Sequence, residues 1–311
     1  MSTTIGLISL ALSALLISVI NRFFLKRNLI DKINERSSHS VTATRSGGIA
    51  IFTSIFLVSF AYYISGITLF DYSILIPLGL LVSIGLYDDV YNVDFKLKFI
   101  FQIIAAKIII DTGLLIDNFH GVFGIFEINR IIAQLLTIFI IIAIINAINF
   151  IDGIDGLAAS IFLFFLISFE FFSLGFNSLS NFSSLAIATV IPIYYYNFRK
   201  NNKVFLGDSG SHMLGGIVSI YVVFILSQDY IIKQEFDLHK ILFVFSILSY
   251  PIVDIIRIIM IRRLKNKSLF KADKGHIHHL IFKKFHSHII TTSVIVFFSL
   301  LIMTIIQLLI G

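Results

Sequence analysis

Long apolar runs separated by short polar clusters recur along the whole chain. A helix needs about 20 predominantly apolar residues to cross the hydrocarbon core of a bilayer, so each run predicts one membrane span. Ten spans are predicted, at residues 4–24, 47–65, 71–87, 97–116, 129–147, 157–175, 182–198, 210–227, 240–261 and 289–310. We therefore expect an all-α polytopic integral membrane protein in which residues 1–311 form a single transmembrane domain.

The composition agrees with a membrane protein and excludes several other classes. Hydrophobic residues occupy 57% of the 311 positions and charged residues only 14%, whereas soluble domains carry about 25% charged residues. A soluble globule, a disordered chain and a nucleic-acid-binding domain are therefore excluded, and no nucleic-acid partner is expected. Because the chain contains no cysteine, a disulfide framework, a thiol nucleophile and a cysteine-ligated metal are excluded as well.

Positive charge accumulates on one side of the predicted membrane. With ten spans, that side receives the loops at about residues 25–46, 88–98, 146–157, 199–209 and 262–288. These loops and their flanks contain 19 of the 24 lysine and arginine residues. By the positive-inside rule this side is cytoplasmic and both termini lie outside, so the net charge of +6 is mainly a signature of topology.

The unusual polar clusters all fall in these five loops, which indicates one site at the cytoplasmic face. Asp88 and Asp89 close the third span, and Lys98 enters the fourth. Adjacent carboxylates repel each other unless a cation or a shared proton intervenes, so the pair is a candidate ion-binding feature. Taken alone, the pair fits a helix end at the membrane interface equally well, and Lys98 fits a charged anchor that reaches the interface.

A stronger signal follows the fifth span, at residues 146–157. Asp152 and Asp155 are three residues apart, which places them on one face of a helical turn. Gly153 and Gly156 allow close backbone approach or a broken helix, which membranes tolerate where the chain lines a cavity. Helix capping is the structural alternative for this cluster.

Asp208 lies between glycine and serine residues at the start of the eighth span. A lone aspartate in this setting usually caps a helix. Together with four other carboxylates on the same face, Asp208 becomes a candidate metal ligand. Oxygen ligands without cysteine suit Mg²⁺, which commonly binds substrate phosphates as well.

The last cytoplasmic loop combines His276, His278 and His279 with many lysine and arginine residues. Histidines beside carboxylates could hold zinc, but the cationic surroundings favour an anion such as a nucleotide diphosphate. Attraction to lipid headgroups is the alternative for this basic loop. The serine- and glycine-rich segment 34–48, which contains Arg45, can also present N–H groups to phosphate, although this signal is weak by itself.

Carboxylates suited to Mg²⁺ and basic loops suited to phosphates thus face each other at one membrane surface. This combination predicts phosphoryl transfer between a nucleotide-linked donor and a lipid acceptor. The motifs GLYDDV, NAINFIDGIDGLA, VFLGDSGS and HIHH, in this order between about residues 31 and 285, resemble the polyprenyl-phosphate N-acetylhexosamine-1-phosphate transferases of the MraY/WecA type. The N-terminal segment resembles the branch of this family that initiates O-antigen or related surface polysaccharides.

The resemblance implies a multi-pass protein of the bacterial inner membrane with a cytoplasm-facing active site that requires Mg²⁺ or Mn²⁺. It also implies transfer of an N-acetylhexosamine-1-phosphate from a UDP-N-acetylhexosamine donor to the acceptor undecaprenyl phosphate, with release of UMP. This would be the first membrane step in the synthesis of O-antigen or another cell-envelope polysaccharide. A homodimer is left open as an alternative to a monomer.

The same resemblance assigns roles to five aspartates. Asp208 would bind the metal together with Asp152, and Asp155 would lie beside them as a further catalytic carboxylate. Asp88 would be the base that deprotonates the lipid phosphate, supported by Asp89. A one-step attack and a covalent aspartyl intermediate both remain open.

A second group of residues would bind the substrates according to the resemblance. Lys98 and Arg45 would contact phosphates, and Asn149 would line the nucleotide site. The histidines would hold the diphosphate or sugar of the donor; they are His276, His278 and His279. The chain departs from the usual family pattern in two segments. Residues 43–48 lack two prolines and one glycine, and Asn201-Asn202 precede Lys203 where the family usually has Pro-Ala. Both departures concern donor specificity.

Two other functions fit parts of the pattern. An intramembrane prenyltransferase would also use Asp-rich motifs with Mg²⁺, but the clusters at Asp208 and the histidines do not fit it. A cation-coupled transporter would need ionisable groups near the midplane of the bilayer. The candidates for such groups are Lys107, Glu170 and Asp254, the last as a structural couple with Arg257.

Overall fold

The computed structural model describes residues 2–31, 42–119, 121–172, 178–227, 238–265 and 275–310. Nearly all regular structure in these residues is helical, which confirms the expected all-α class. The helices in chain order are α1 (Ser2–Lys26), α2 (Gly47–Ile64), α3 (Leu75–Tyr91), α4 (Phe95–Asp111), α5 (Arg130–Ile151), α6 (Leu157–Phe172), α7 (Ser180–Val190), α8 (Ile193–Asn197), α9 (Gly207–Ser227), α10 (Leu238–Ile247), α11 (Ser249–Leu264), α12 (Ile277–Phe285) and α13 (His288–Ile310).

Among the described helices, six are long and apolar enough to cross a membrane, and seven if α10 and α11 count as one span bent by 79°. The six are α1, α2, α3 with its leading 3₁₀ turn, α5, α9 and α13. The other three predicted spans correspond to α4, α6 and the pair α7–α8, which breaks just before α8, at Pro192. Each apolar run therefore contains helix, whereas the count of ten crossings stays a prediction.

Helix α9 is the centre of the bundle. Its apolar window is 89% buried within the protein, against 22–44% for the other candidate spans. Glycines on its neighbours make this possible, because a Cβ at Gly48 would lie 2.1 Å from the amide nitrogen of Gly210, and one at Gly85 would lie 2.5 Å from the carbonyl of Asp208. Close approach of two helix backbones requires such small residues. Helices α2 and α3 therefore pack closely against the first turn of α9.

The loops that carry the polar clusters meet at one end of this bundle. Strand β1 (Ala43–Thr44) pairs in parallel with β2 (Lys203–Val204), which joins the segments that precede α2 and α9. The end of α3 and the start of α4 contact the first turn of α9 through Lys98. Gly153, after α5, lies against His278 of the last loop. Parts of all five loops thus converge, as their common polarity suggested.

The close contact at Gly85 yields a stability prediction. Gly85→Ala places a methyl group against the backbone of α9, so we expect it to destabilise the protein by about 1–3 kcal/mol, as overpacking usually does. Gly6→Ala is the matched control, because the nearest atom to its new Cβ is 4.0 Å away. Thermal unfolding in detergent should show a lower Tm for Gly85→Ala only. An unchanged Tm in that variant would contradict the packing described here.

Candidate active site

Lys98 links two aspartates from different helices. Its Nζ lies 3.1 Å from Asp88 Oδ2 and 3.1 Å from Asp208 Oδ2. The second oxygen of Asp88 accepts a hydrogen bond of 2.9 Å from the backbone N–H of Val93, just beyond the left-handed Asn92 that ends α3. One ammonium group therefore balances two carboxylates, and Asp88 is fixed at both of its oxygens.

Asp89 has a different neighbour from Asp88, although the two are adjacent in sequence. Its Oδ1 accepts the backbone N–H of Asp208 at 2.9 Å, and its Oδ2 accepts that of Ser209 at 3.1 Å. Free N–H groups at a helix N-terminus attract a negative charge, so Asp89 caps α9 from α3. Gly207 permits this contact, because its φ is 70° and a Cβ there would lie 2.5 Å from Asp89 Oδ2. Asp89 thereby supports the position of Asp208.

Arg45 follows β1 and extends the same charge network. Its Nη2 lies 2.7 Å from Asp31 Oδ1, and its Nη1 lies 3.5 Å from Asp89 Oδ1. About a third of the Arg45 side chain remains exposed, so one edge of the guanidinium can meet a ligand. The predicted phosphate-binding segment at residues 34–40 lies outside the described residues, as does Lys274.

Asn149 and Asp152 lie at the end of α5, next to the start of α9. The Asn149 amide donates to the Ser211 hydroxyl at 2.8 Å. The Asp152 carboxylate forms no hydrogen bond or ion pair with any side chain in the described ranges. Burial and the nearby carboxylates, of which Asp208 contributes most, raise the pKa of Asp152 well above its ordinary value. A cation bound beside Asp152 would stabilise the ionised form of this carboxylate.

Asp155 is turned away from this group towards a buried ion pair. Its Oδ2 contacts the Nζ of Lys203, and both side chains are at least 88% buried. His288 Nδ1 accepts the backbone N–H of Asp155 at 3.1 Å, and the Thr292 hydroxyl donates to the Asp155 carbonyl at 3.1 Å. This cluster ties the loop after α5 to β2 and to α13. The catalytic role expected for Asp155 stays a prediction.

The three histidines lie beside the end of α5 and the loop that follows it. His278 Nδ1 lies 2.9 Å from the Tyr250 hydroxyl, while its buried Nε2 has no hydrogen-bond partner and faces Gly153. Burial, helped by neighbouring His279, lowers the pKa of His278 to about 3, so its ring is neutral. His279 also approaches Gly153. The histidine loop therefore lies against the residue that follows Asp152.

The carboxylates fit a divalent cation. Asp88 and Asp208 share a single ammonium group, and Asp152 lacks a partner among the described side chains. When all three are ionised, three carboxylates with one ammonium group leave an excess of two negative charges, and Mg²⁺ prefers oxygen ligands of this kind. Asp254, His276 and His278 form a second group, whose ligand atoms lie within 4.8 Å of one another.

The three residues suggested for a transporter each have a separate partner within the described ranges. Lys107 pairs with Asp111 on an exposed helix face, and Glu170 accepts a hydrogen bond of 2.5 Å from Ser183. The expected couple between Asp254 and Arg257 is wrong. Asp254 binds His276 at 2.6 Å instead, whereas Arg257 donates to the Gly275 carbonyl at 2.7 Å.

Sequence reasoning missed three residues that organise the site. Lys203 was noted only as part of a departure from the family pattern, and Ser211 and His288 were not singled out as functional. Their partners are Asp155 and Asn149, which lie 48 to 133 residues away in sequence. No local pattern signals such contacts.

Helices of membrane-spanning length and carboxylates gathered at one end of the bundle are the features expected of a membrane-embedded enzyme. The profile of glycosyl transferase family 4 matches residues 71–226, which contain Asp88, Asp89, Lys98, Asp152 and Asp208. The chain belongs to this family and is a glycosyl-1-phosphate transferase, which confirms the resemblance found in its motifs.

Curated relatives cover most of the chain. The probable undecaprenyl-phosphate N-acetylglucosaminyl 1-phosphate transferase of Bacillus subtilis (strain 168) is 33% identical over 296 residues, which are 93% of this chain and 79% of the relative. The undecaprenyl-phosphate alpha-N-acetylglucosaminyl 1-phosphate transferase of Salmonella typhi is 31% identical, over 83% and 70% of the two chains. The decaprenyl-phosphate N-acetylglucosaminephosphotransferase of Mycobacterium tuberculosis (strain CDC 1551 / Oshkosh) is 29% identical, over 82% and 69%.

The ion pair between Lys203 and Asp155 can be tested by removing one partner. Lys203→Met leaves a buried carboxylate uncompensated, and we expect a loss of roughly 3 kcal/mol or more in the free energy of unfolding. Lys200→Met, at an exposed position three residues earlier, should have little effect. The double variant Lys203→Met/Asp155→Asn should recover part of the loss in denaturant unfolding. If Lys203→Met and Lys200→Met unfold with the same free energy, the ion pair between Lys203 and Asp155 does not stabilise the protein.

Proposed function

We propose that the chain transfers an N-acetylhexosamine-1-phosphate from a UDP-sugar to undecaprenyl phosphate and releases UMP, as a single transmembrane domain in the bacterial inner membrane. The proposal rests above all on one observation. Lys98 joins Asp88 and Asp208 at the end of the bundle where the histidine loop and Arg45 also lie. The names of the curated relatives support both the acceptor and the transferred sugar phosphate.

The active site faces the cytoplasm in this proposal. Nucleotide-linked sugars are soluble and charged, so they must be bound from the aqueous side of the membrane. The described parts of the five loops meet at this end of the bundle, and the sequence assigns 19 of the 24 lysine and arginine residues to these loops and their flanks, which supports the cytoplasmic orientation through the positive-inside rule. Both termini then lie outside, and the product enters the synthesis of O-antigen or another envelope polysaccharide.

Mg²⁺, or Mn²⁺ in its place, is the proposed cofactor. Asp208 and Asp152 would hold it, since Asp208 is partly exposed and Asp152 lacks another partner among the described side chains. The bound cation would supply neutralisation of the negative charge on the donor diphosphate. Asp89 contributes indirectly, because its hydrogen bonds to the first turn of α9 hold Asp208 in position.

The chain's own residues account for the remaining steps. Asp88 accepts any proton on the lipid phosphate, whose oxygen then attacks the β-phosphorus of the donor. A new P–O bond forms to the sugar-bearing phosphorus, and the bond from that phosphorus to the oxygen of UMP breaks. Lys98 neutralises charge on the phosphates and holds Asp88, which suits a reaction that depends mainly on positioning and electrostatic stabilisation.

Donor recognition falls to the wall of the site that contains Arg45 and the histidine loop. Arg45, whose side chain is about a third exposed, would meet a phosphate of the donor, and the loop with His276 places His278 and His279 against Gly153. Asn149 is held by Ser211 at the nucleotide side. The altered segments before α2 and before β2 lie next to this wall, so they bear on which N-acetyl sugar is accepted.

The decisive experiment measures UMP release by the purified protein in detergent. Undecaprenyl phosphate, Mg²⁺ and a panel of UDP-N-acetylhexosamines are supplied, with Asp208→Ala in parallel. We expect UMP with at least one donor, dependent on lipid and metal, abolished by a chelator and absent in the variant. If folded wild-type protein neither binds any UDP-sugar nor releases UMP, the proposed reaction is wrong. A prenyl diphosphate substrate in place of the UDP-sugar would indicate the prenyltransferase alternative.

Lys98 offers a sharper test of the site with a control on the same helix. Lys98→Met removes the ammonium group between the two carboxylates, and we expect kcat to fall by about 10²–10³, the loss typical for one lost electrostatic contact in an active site. Lys96→Met changes an exposed lysine in the same helical turn and should retain activity. Equal activities of the two variants would remove Lys98 from the mechanism.

A further inference from the structure

Asp254 in α11 is a fully buried carboxylate to which the proposed reaction assigns no role. Its Oδ2 lies 2.6 Å from Nδ1 of His276, and its Oδ1 accepts the backbone N–H of Ile277 at 2.8 Å. Ile277 is the first residue of α12, so the carboxylate both caps this helix and contacts the preceding histidine. Both oxygens of Asp254 are therefore used to fix one point of the last loop.

The contact between Asp254 and His276 is a hydrogen bond rather than half of a metal site. Two ligand atoms bound to one tetrahedral zinc ion, each about 2.1 Å from it, would lie roughly 3.4 Å apart. The observed 2.6 Å is too short for that arrangement and typical of a charge-assisted hydrogen bond. In addition, His278 already uses its Nδ1 with the Tyr250 hydroxyl.

This hydrogen bond determines which nitrogen of His276 carries a proton. A carboxylate only accepts hydrogen bonds, so Nδ1 must be the protonated nitrogen. The other nitrogen, Nε2, forms no hydrogen bond with any residue in the described part of the chain. Asp254 thus leaves Nε2 as the free end of the ring.

The ring of His276 lies beside the residues of the proposed donor site. Its centroid lies 6.0 Å from that of Phe150 at the end of α5, and 5.4 Å from that of His278, whose Nε2 faces Gly153. Arg257 fixes the chain immediately before the histidine through its 2.7 Å hydrogen bond to the Gly275 carbonyl. Helix α11 therefore holds the His276 segment at two points, beside the loop that bears Asp152.

We propose that Asp254 is a positioning residue, which holds His276 with its proton on Nδ1 and its Nε2 directed at a phosphate of the donor. A phosphate oxygen only accepts hydrogen bonds, so its contact with Nε2 requires an N–H there as well, and the Asp254 carboxylate then balances the positive ring. This inference rests on the proposed transfer of a sugar phosphate from a UDP-sugar. It assigns Asp254 to donor binding and not to any ion pathway.

Asp254→Asn provides the kinetic test. Asparagine keeps the size of the side chain and an oxygen for the Ile277 N–H, but its amide group opposes a proton on Nδ1 of His276. We expect KM for the UDP-sugar to rise roughly 10- to 100-fold, the range for partners that orient functional histidines, with a smaller change in kcat. Asp71→Asn is the matched control, since Asp71 also accepts a backbone N–H, from Ser73, but in an exposed turn before α3.

A double-variant cycle separates positioning from a general structural role. If Asp254 acts through His276, then Asp254→Asn should add little to the KM increase caused by His276→Ala. The proposal is overturned if the KM increase of the double variant equals the product of the two single-variant increases. It is also overturned if KM is unchanged in Asp254→Asn.

NMR can identify which nitrogen of His276 carries the proton, and this measurement needs neither substrate nor enzyme activity. The ¹⁵N spectrum of histidine-labelled wild-type protein, assigned by comparison with His276→Ala, should show the proton on Nδ1. A proton on Nε2 alone would overturn the inference, and so would a stoichiometric metal ion that copurifies with wild type and is lost in Asp254→Asn. This readout holds even if Asp254→Asn does not fold. If the spectrum shows the proton on Nδ1 but the protein turns over no UDP-sugar, the proposed function is refuted and the position of the proton is not.

Discussion

The arrangement of the site depends on the hydrogen bonds between the Asp89 carboxylate and the first N–H groups of α9. Helix α9 is the most deeply buried of the candidate spans, so its free N-terminal N–H groups would be costly without a partner. Asp89 supplies that partner from α3, and the glycines at 48, 85 and 207 remove the side chains that would hold the backbones apart. Asp208 is thereby brought to Lys98 and Asp88, and the rest of the charge network follows from this contact.

Charge in this protein is arranged in pairs that connect loops distant in sequence. Lys98 connects the start of α4 to α9, and Lys203 connects β2 to the loop after α5. Each pair brings a cation from one loop to a carboxylate from another, which restrains several short connections without a disulfide. Among the aspartates of the candidate site, Asp152 has no such partner in the part of the chain that the structure describes. The resulting imbalance of charge is localised where the proposed chemistry needs a cation.

The apolar pattern was sufficient to predict where the chain is helical, because each of the ten runs contains helix in the structure. It could not predict how many helices cross the membrane, since α4 and α6 are shorter than the other candidate spans. The local motifs identified the loops of the site correctly but not the pairing within them. Asp89 meets residues about 120 positions away, Asp155 one 48 positions away and Asp254 one 22 positions away. Such pairings arise from helix packing, which a local pattern does not record.

The different partners of Asp88 and Asp89 also restrict insertions and deletions in the last turn of α3. Successive residues of an α-helix are rotated by about 100°, so the two side chains reach Lys98 and α9 from one helix only in the present register. A single insertion or deletion between Gly85 and these aspartates would turn both carboxylates away from their partners. Variation in length among related chains should therefore be excluded from the last turn of α3. It can be accommodated in connections far from this end of the bundle, such as residues 112–129 between α4 and α5.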